Sequence, residues 1–276
     1  RNHPSGGNVL ALRHRLGTLA AEATGFDFTK VTGALSELTR EEKEHAQETV
    51  QRPVGKVLSG IDVLAAGDFA LLKGLKVGLI TNPTGLDRER RTTIDLLHAA
   101  EQLKLVSLFG PEHGIRGSRD GNVGDGVDDK TGLPVHSLYA GKDRRKPSPE
   151  HLADIDALVF DMQDIGCRFY TYLSTMGLAM EAAEEAGLRF FVLDRVNPIG
   201  GLKVAGPLRD GERKFVAFHE IPVQHGMTAG EIAGLYKSEL FPELDLTVVP
   251  LRHWKRSMRF DKTGLPWVKP SPNMPN

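Results

Sequence analysis

The sequence has a single cysteine, Cys167, among its 276 residues. One cysteine cannot form a disulfide within the chain, so the fold must rely on its hydrophobic core. No apolar run approaches the roughly 18 residues that a membrane-spanning helix needs. The formal charge of −1 and the pI near 6.9 provide no excess of positive charge for a nucleic acid or an anionic membrane. We therefore expect a globular protein without a nucleic acid partner and without a membrane-spanning segment.

Several motifs of familiar enzyme classes are also missing. There is no GxxxxGK[ST] phosphate loop, and the segment 81–85 (Thr-Asn-Pro-Thr-Gly) stands where a dinucleotide-binding protein would carry GxGxxG. Neither a G-x-S-x-G nor an S-x-x-K serine nucleophile occurs. His219 and His225 lack the helical i, i+4 spacing and a third ligand, so no metal site is predicted. Cys167 is predicted to be inert because its neighbours are apolar and aromatic. We expect neither a cofactor nor a metal.

From residue 60 onward, short apolar runs alternate with helical patterns, which predicts a doubly wound parallel sheet with helices on both faces. The four predicted strands cover residues 76–81, 105–109, 157–160 and 189–193. The predicted helices begin at Thr92, Ser148, Tyr170 and Thr228. Thr92 and Thr228 are each followed three residues later by an acidic residue, which is typical of a helix N-terminus.

The pattern also predicts a division into segments. Residues 1–23 hold a polar turn and a helical stretch, residues 24–56 form a charge-rich linker, and residues 57–200 form the α/β domain. The pattern loosens over residues 201–276, where we expect the start of a smaller α+β domain. Because the sequence begins with Arg1, we expect it to be a piece of a longer protein.

The second predicted strand ends in Gly-Pro-Glu-His-Gly-Ile-Arg-Gly, residues 110–117. Ligands of open α/β sheets bind beyond the carboxyl ends of parallel strands, so Glu112 beside His113 is a candidate acid–base pair. Arg116 adds a partner for an anion. The alternative is a tight turn with solvated side chains.

Polar clusters follow the other predicted strands as well. Asp161 and Asp164 are candidates for acid–base chemistry or metal binding, although Asp164 is more typical of a helix cap. Arg168 and Tyr172 suit an acidic sugar, but aromatic residues in this stretch could equally belong to the core. Later in the chain, Glu231 occupies a capping-box position, so its structural role is the stronger alternative.

Seven blocks occur together and in order, and their combination resembles the bacterial exo-β-N-acetylmuramidase (NamZ-type) family over residues 57–276. The blocks are Asn-Pro-Thr-Gly at 82–85, the octet at 110–117, Thr-Gly-Leu-Pro-Val with Ser-Leu-Tyr at 131–139, Phe-Asp-Met-Gln-Asp-Ile-Gly with Arg-Phe-Tyr-Thr-Tyr at 160–172, Asp-Arg with Asn-Pro-Ile-Gly-Gly at 194–201, His-Gly-Met-Thr-Ala-Gly-Glu at 225–231, and Pro-Ser-Pro-Asn-Met-Pro at 270–275.

The resemblance implies a Rossmann-like domain without a nucleotide and a smaller C-terminal domain, with the active site in the cleft between them. It implies hydrolysis of N-acetylmuramic acid from the non-reducing ends of peptidoglycan fragments, which favours a location outside the cytoplasm. Glu112 would be the leading catalytic carboxylate, with Glu231, Asp161 or Asp164 as its partner. Arg116 or Arg168 would pair with the lactyl carboxylate. The expected substrate-binding residues are Asn82, His113, Arg116, Gln163, Arg168, Tyr172, Asp194, Asn197 and His225. The alternative is a non-catalytic domain that binds muropeptides.

Some features depart from this resemblance. Val196 stands where the family has a proline, and Cys167 where a small residue is usual. The family continues past the block at 270–275, so we expect the second domain to be truncated after Asn276. Residues 1–23, with Asn-His-Pro at 2–4, resemble the end of a serine β-lactamase-related domain, which predicts a fusion of two enzymes.

Overall fold

The computed structural model describes residues 55–111, 114–116, 124–139 and 145–271. The chain divides into two compact units, residues 1–55 and 56–276. Almost all of the first unit lies outside the described residues, and so do the predictions made for residues 1–23 and for most of the linker. The described elements belong to the second unit.

A seven-stranded sheet is the centre of this unit, with the strand order β3-β4-β2-β1-β5-β6-β7. Every neighbouring pair is parallel except β3 and β4, which are antiparallel. The predicted parallel α/β architecture is therefore confirmed. The strands are β1 (Lys76–Thr81), β2 (Lys104–Gly110), β3 (Gly126–Val127), β4 (Pro134–Ser137), β5 (Ala157–Asp161), β6 (Arg189–Leu193) and β7 (Leu246–Val249).

The strand order defines where a site can form. From β1 the chain builds outward through β2 to β4, and it then crosses to the other side of β1 to form β5. A crevice arises beyond the carboxyl ends of β1 and β5, where the direction of winding changes, and such crevices hold the ligands of open α/β sheets. The pairing of Thr81 with Asp161 brings the two strands to an end at the same level.

The helices begin at the predicted caps. The Thr92 hydroxyl accepts a hydrogen bond from the backbone N–H of Asp95, and Thr228 forms a full capping box with Glu231. The first of these helices ends at Ala99. The helices are α1 (Gly60–Ala66), α2 (Thr93–Ala99), α3 (Pro149–Leu152), α4 (Thr171–Glu185) and α5 (Ala229–Glu239), with 3₁₀ turns at Ala70–Leu72 and Phe260–Lys262.

The core lies on and around the central strands. All five residues of β5 are buried, as are five of the six in β1, because strands in the middle of a parallel sheet are covered on both faces. Helix α4 buries ten residues. At Gly177 of α4 a Cβ atom would lie 2.2 Å from the ring of Phe218, so the close packing there requires glycine.

The sheet continues beyond residue 200. Helix α5 contacts both β6 and β7, and β7 pairs in parallel with β6. The stretch that the sequence pattern separates from the α/β domain thus supplies the last strand of the same sheet. A distinct C-terminal domain stays a prediction. Of the helices within the described ranges, none is both long and apolar enough to cross a membrane.

Candidate active site

The octet at 110–117 leaves the sheet at the predicted place. Pro111 is buried, Gly114 has a φ of +74°, and Ile115 returns to pack against Gly110 at the end of β2. Glu112 and His113, the two leading candidates, lie outside the described residues. The residues that flank them on both sides are held at the carboxyl end of β2.

Hydrogen bonds join the loops that follow β1 and β5 across the crevice. The Thr81 hydroxyl donates to the backbone oxygen of Asp161 at 2.9 Å, and the Thr84 hydroxyl oxygen accepts from the backbone N–H of Gln163 at 2.8 Å. Gln163 itself donates from Nε2 to the backbone oxygens of Asp164 and Val196, at 2.7 and 2.9 Å. These bonds from Gln163 hold the loops together, and its role in substrate binding stays a prediction.

Asn82 lies in the same crevice. Its Oδ1 accepts from the backbone N–H and the hydroxyl of Thr84, which fixes the amide. Its Nδ2 is buried beside the Tyr172 hydroxyl and has no acceptor at full hydrogen-bond geometry among the described residues. A buried donor without a partner is costly, so Nδ2 is a group that a ligand oxygen would satisfy.

Asp161 forms a buried ion pair with Arg195. Nε of Arg195 donates to Oδ1 at 2.5 Å and Nη2 donates to Oδ2 at 2.8 Å, and the Thr93 hydroxyl also donates to Oδ2. The Asp161 side chain is 0% exposed. Both oxygens of Asp161 are thus engaged by Arg195 and Thr93, and its catalytic role stays a prediction.

Asp194 and Glu231 both serve the start of α5. The carboxylate of Asp194 accepts from the Thr228 hydroxyl at 2.9 Å and from the backbone N–H of Gly230 at 2.7 Å. Glu231 completes the capping box and pairs with Arg256. Carboxylates at a helix N-terminus are stabilised by the unpaired N–H groups there. The structural alternative for Glu231 is confirmed, and the predicted functional roles of Asp194 and Glu231 stay predictions.

Asn197 has a structural role as well. Its Nδ2 donates to the backbone oxygen of Met227 at 2.9 Å and its Oδ1 accepts from the backbone N–H of Ile199 at 3.2 Å. Both ends of the amide are thus used within the protein, and the contact of Asn197 with substrate stays a prediction.

The two arginines predicted to bind a substrate carboxylate already have acceptors. Arg116 donates to both oxygens of Asp128, at 2.6 and 2.9 Å, and to Asp95 at 3.0 Å. These bonds to Arg116 lower the pKa of Asp128 to about 2. Arg168 donates to the backbone oxygens of Ile221 and Pro207. Both guanidinium groups thus have acceptors within the protein, and their pairing with a lactyl carboxylate stays a prediction.

Asp164 differs from the other two aspartates. Its Oδ2 accepts from the backbone N–H of Gly166 at 2.7 Å, whereas its Oδ1 is buried without a partner among the described residues. Burial raises the pKa of Asp164 to about 7. The predicted capping role is wrong, since α4 begins at Thr171 with no side-chain cap. A carboxyl group that titrates near neutral pH and retains a free oxygen is suited to acid–base chemistry.

His225 lies beside Asp164. Its Nδ1 accepts from the backbone N–H of Met227 at 3.1 Å, which places the ring proton on Nε2. Burial lowers the pKa of His225 to about 4, so the ring is neutral at physiological pH. Nε2 has no partner among the described residues. Both residues line a cavity of about 10 Å³.

Tyrosine side chains gather near Asn82. Tyr172 is buried and donates to the backbone oxygen of Pro270. Its ring meets that of Tyr170 edge-on at 4.8 Å, and the half-buried Tyr139 shares a 2.8 Å hydrogen bond with Thr175. Burial raises the pKa of Tyr172, and the nearby Tyr170 and Tyr139 raise it further. Tyr139 and Tyr170 were not predicted as site residues, although both lie within the quoted sequence blocks.

The raised pKa of Asp164 predicts a pH-dependent stability. An unfolded aspartate loses its proton at roughly pH 4, and folded Asp164 at about pH 7. The folded state therefore holds the extra proton in this range, so the stabilisation is complete below about pH 4 and is lost by about pH 7. Asp164→Asn should therefore reduce the change in the free energy of unfolding between about pH 4 and about pH 7 by up to about 4 kcal/mol. Urea unfolding from pH 4.5 to 8 measures it.

Asp194 contributes to the same pH dependence of the free energy of unfolding, because burial raises its pKa to about 7 as well. We therefore expect Asp164→Asn to reduce the slope and not to remove it. The exposed Asp154 provides the control, and Asp154→Asn should leave the slope unchanged. An unaltered slope in Asp164→Asn would mean that Asp164 is ionised in the folded protein.

The fold and the site together define a parallel α/β protein whose polar residues meet beyond the carboxyl ends of its strands, without a glycine loop for phosphate. A family model described as "Exo-beta-N-acetylmuramidase NamZ, N-terminal" matches residues 77–276. The chain belongs to this family, as the sequence blocks predicted.

Individual relatives agree with the family model. The chain is 51% identical over 231 residues to the peptidoglycan beta-N-acetylmuramidase NamZ of Bacillus subtilis (strain 168), a match that covers 83% of this chain and 55% of that protein. The chain thus spans about half the length of this relative.

Two solved structures share the fold. One is a DUF1343 family protein (BF0371) from Bacteroides fragilis NCTC 9343, with 50% identity and a TM-score of 0.73 over 79% of this chain and 56% of that chain. The other is a second DUF1343 family protein (BF0379) from the same organism, with 32% identity and a TM-score of 0.64 over 75% of this chain and 55% of that chain.

Proposed function

We propose that this chain is part of a glycoside hydrolase that releases N-acetylmuramic acid from the non-reducing ends of peptidoglycan fragments during cell-wall turnover. The observation that carries the proposal is the 51% identity over 231 residues to a peptidoglycan β-N-acetylmuramidase. The crevice beyond β1 and β5 supports it, because it contains a carboxyl group, an amide and tyrosines, which suit a sugar.

Two carboxyl groups are the usual requirement for glycoside hydrolysis. We propose Glu112 as the first of them, from its place after β2 and its neighbour His113. Of the three partner candidates, Asp161 and Glu231 are engaged in ion pairs, whereas Asp164 has a free oxygen. We therefore propose Asp164 as the second. Its pKa of about 7 keeps part of the population ionised at neutral pH, as the general base that complements an acid at Glu112 requires.

Substrate binding in this proposal uses donors that have no protein acceptor. Nδ2 of Asn82 and Nε2 of His225 are both buried donors of this kind. The hydroxyl groups and ring faces of the tyrosines add amphipathic surface of the type that contacts a sugar. His113 stays a proposed contact through its position beside Glu112.

Three broader features are proposals as well. The smaller C-terminal domain predicted from residue 201 stays a proposal, although the family model described as N-terminal extends to residue 276. The Asn-His-Pro tail supports a preceding β-lactamase-related domain. A peptidoglycan substrate supports a location outside the cytoplasm.

The test is release of a chromogenic aglycone from an aryl β-N-acetylmuramide by the chain, with the matching β-N-acetylglucosaminide as control. The two substrates differ only in the lactyl group, so the enzyme is expected to act on the muramide alone. Calorimetry with N-acetylmuramic acid is run in parallel. Binding without release from a folded chain would favour the non-catalytic binder, and a chain that neither binds nor cleaves would contradict both.

A further inference from the structure

Three side chains that commonly bind metal ions lie together at the β4 side of the sheet. Asp125, His136 and His151 each offer one ligand atom, and these atoms lie within 4.8 Å of one another. Asp125 precedes β3, His136 lies in β4 and His151 lies in α3. The cluster is built from three separate elements, and none of its members belongs to the crevice described above.

The two imidazole rings of His136 and His151 are stacked face to face. Their centroids are 3.9 Å apart and their planes are inclined by 20°. The ring of Phe109 in β2 packs against both, with centroids 5.2 Å from His136 and 6.5 Å from His151. Both histidines are half-buried. Phe109 thus holds the two rings next to each other. Because the nitrogen lone pairs lie in the ring planes, the stacked rings must rotate before both can bind one ion.

The carboxylate is oriented by the backbone of β4. Oδ1 of Asp125 accepts a hydrogen bond from the backbone N–H of Ser137 at 2.8 Å, and Ser137 directly follows His136. A hydrogen bond of this kind to a ligating carboxylate is a usual feature of metal sites, since it fixes the direction of the ligand. Asp125 is also exposed, which leaves a path for an ion to enter.

We propose that Asp125, His136 and His151 form a binding site for Zn²⁺. Two imidazoles and one carboxylate are an established zinc ligand set, with a water in the fourth position. Zinc bonds of about 2.0–2.2 Å place tetrahedral ligand atoms about 3.3–3.5 Å apart. Because the ligand atoms lie within 4.8 Å of one another, binding requires no pair to move closer by more than about 1.5 Å, which side-chain rotation at these partly exposed residues allows.

The proposed ion would have a defined structural effect. It would connect Asp125, at the end of segment 111–125, to β4 and α3. The same segment begins at the end of β2 and includes Glu112. The site is thus expected to stabilise the region around the candidate active site without taking part in the reaction.

The test uses the full 276-residue chain, freed of metal by a chelator and titrated with Zn²⁺ by calorimetry. We expect one ion per chain and a Zn²⁺-dependent rise in the midpoint of thermal unfolding. His136→Ala and His151→Ala should each weaken binding by at least about 100-fold. His98→Ala is the matched control, because His98 is exposed on α2, and it should bind as the unaltered chain does.

Co²⁺ provides a spectroscopic check. The visible bands of bound Co²⁺ should appear in the unaltered chain and in His98→Ala, and they should be lost in both cluster variants. If an alanine variant does not fold by circular dichroism, His151→Gln or Asp125→Asn replaces it. Binding that the cluster variants leave unchanged would overturn the proposal, and so would binding no tighter than millimolar. None of these readouts uses turnover, so they are independent of the proposed hydrolase activity.

Discussion

Replacing Glu112 by glutamine is expected to lower the rate of muramide hydrolysis by about 10²–10⁴-fold, the usual contribution of a positioned general acid. The amide keeps the size of the side chain but cannot give a proton to the leaving oxygen. We therefore expect kcat to fall while KM changes little. Initial rates with a series of aryl muramides measure this. The loss should shrink as the leaving phenol becomes more acidic, because a better leaving group needs less protonation.

Glu231→Gln is the matched control for this experiment. Glutamine can take the place of glutamate in a capping box, so α5 should persist, and the rate should fall by less than about 10-fold. If Glu231→Gln abolished hydrolysis and Glu112→Gln did not, the assignment of the two glutamates would have to be exchanged. A loss in Glu112→Gln that is the same for every leaving group would argue that Glu112 acts as nucleophile or base.

Arg195→Ala is expected to destabilise the fold by about 3–5 kcal/mol, because it leaves a buried carboxylate without its counter-ion. Asp161 is 0% exposed and would retain only the Thr93 hydroxyl as a side-chain donor. The free energy of unfolding in urea measures this loss. A second variant, Arg195→Met with Asp161→Asn, removes both charges and should recover part of it, since the cost comes from the unpaired charge.

The control is Arg189, the first residue of β6. Arg189 pairs with Asp245 at 3.5 Å, and both side chains are exposed, by 42% and 66%. Arg189→Ala should cost at most about 1 kcal/mol, as exposed ion pairs do. Equal losses in Arg189→Ala and Arg195→Ala would show that burial does not decide the effect, and the account of the Asp161 pair would then fail.

The sequence predicted the central strands well, and the reason is burial. Strands β1, β5 and β6 are covered on both faces, so each is an uninterrupted apolar run that is visible without any structure. Strand β4 has four residues and β7 is mostly half-exposed, so neither shows such a run and neither was predicted. The helix starts were correct where a side chain caps the helix locally, as at Thr92 and Thr228.

The aspartates show why the roles of site residues were harder to predict. Asp161, Asp164 and Asp194 all follow a strand, and the sequence pattern treats them alike. Their partners differ: an arginine for Asp161, a helix N-terminus for Asp194, and backbone N–H groups with one free oxygen for Asp164. Of the three, only Asp164 retains a carboxylate oxygen without a partner among the described residues.

The sequence by itself determined the parallel α/β class, the family and the strand ends at which polar residues collect, because each depends on local periodicity or on motifs within a few residues. The tertiary structure decided which of these residues are available. Arg195 meets Asp161 across 34 positions, and Arg116 meets Asp95 across 21. The cluster of Asp125, His136 and His151 likewise joins elements that are separate in sequence. Such partners are set by strand order and register, which bring distant residues together and leave no local pattern in the sequence.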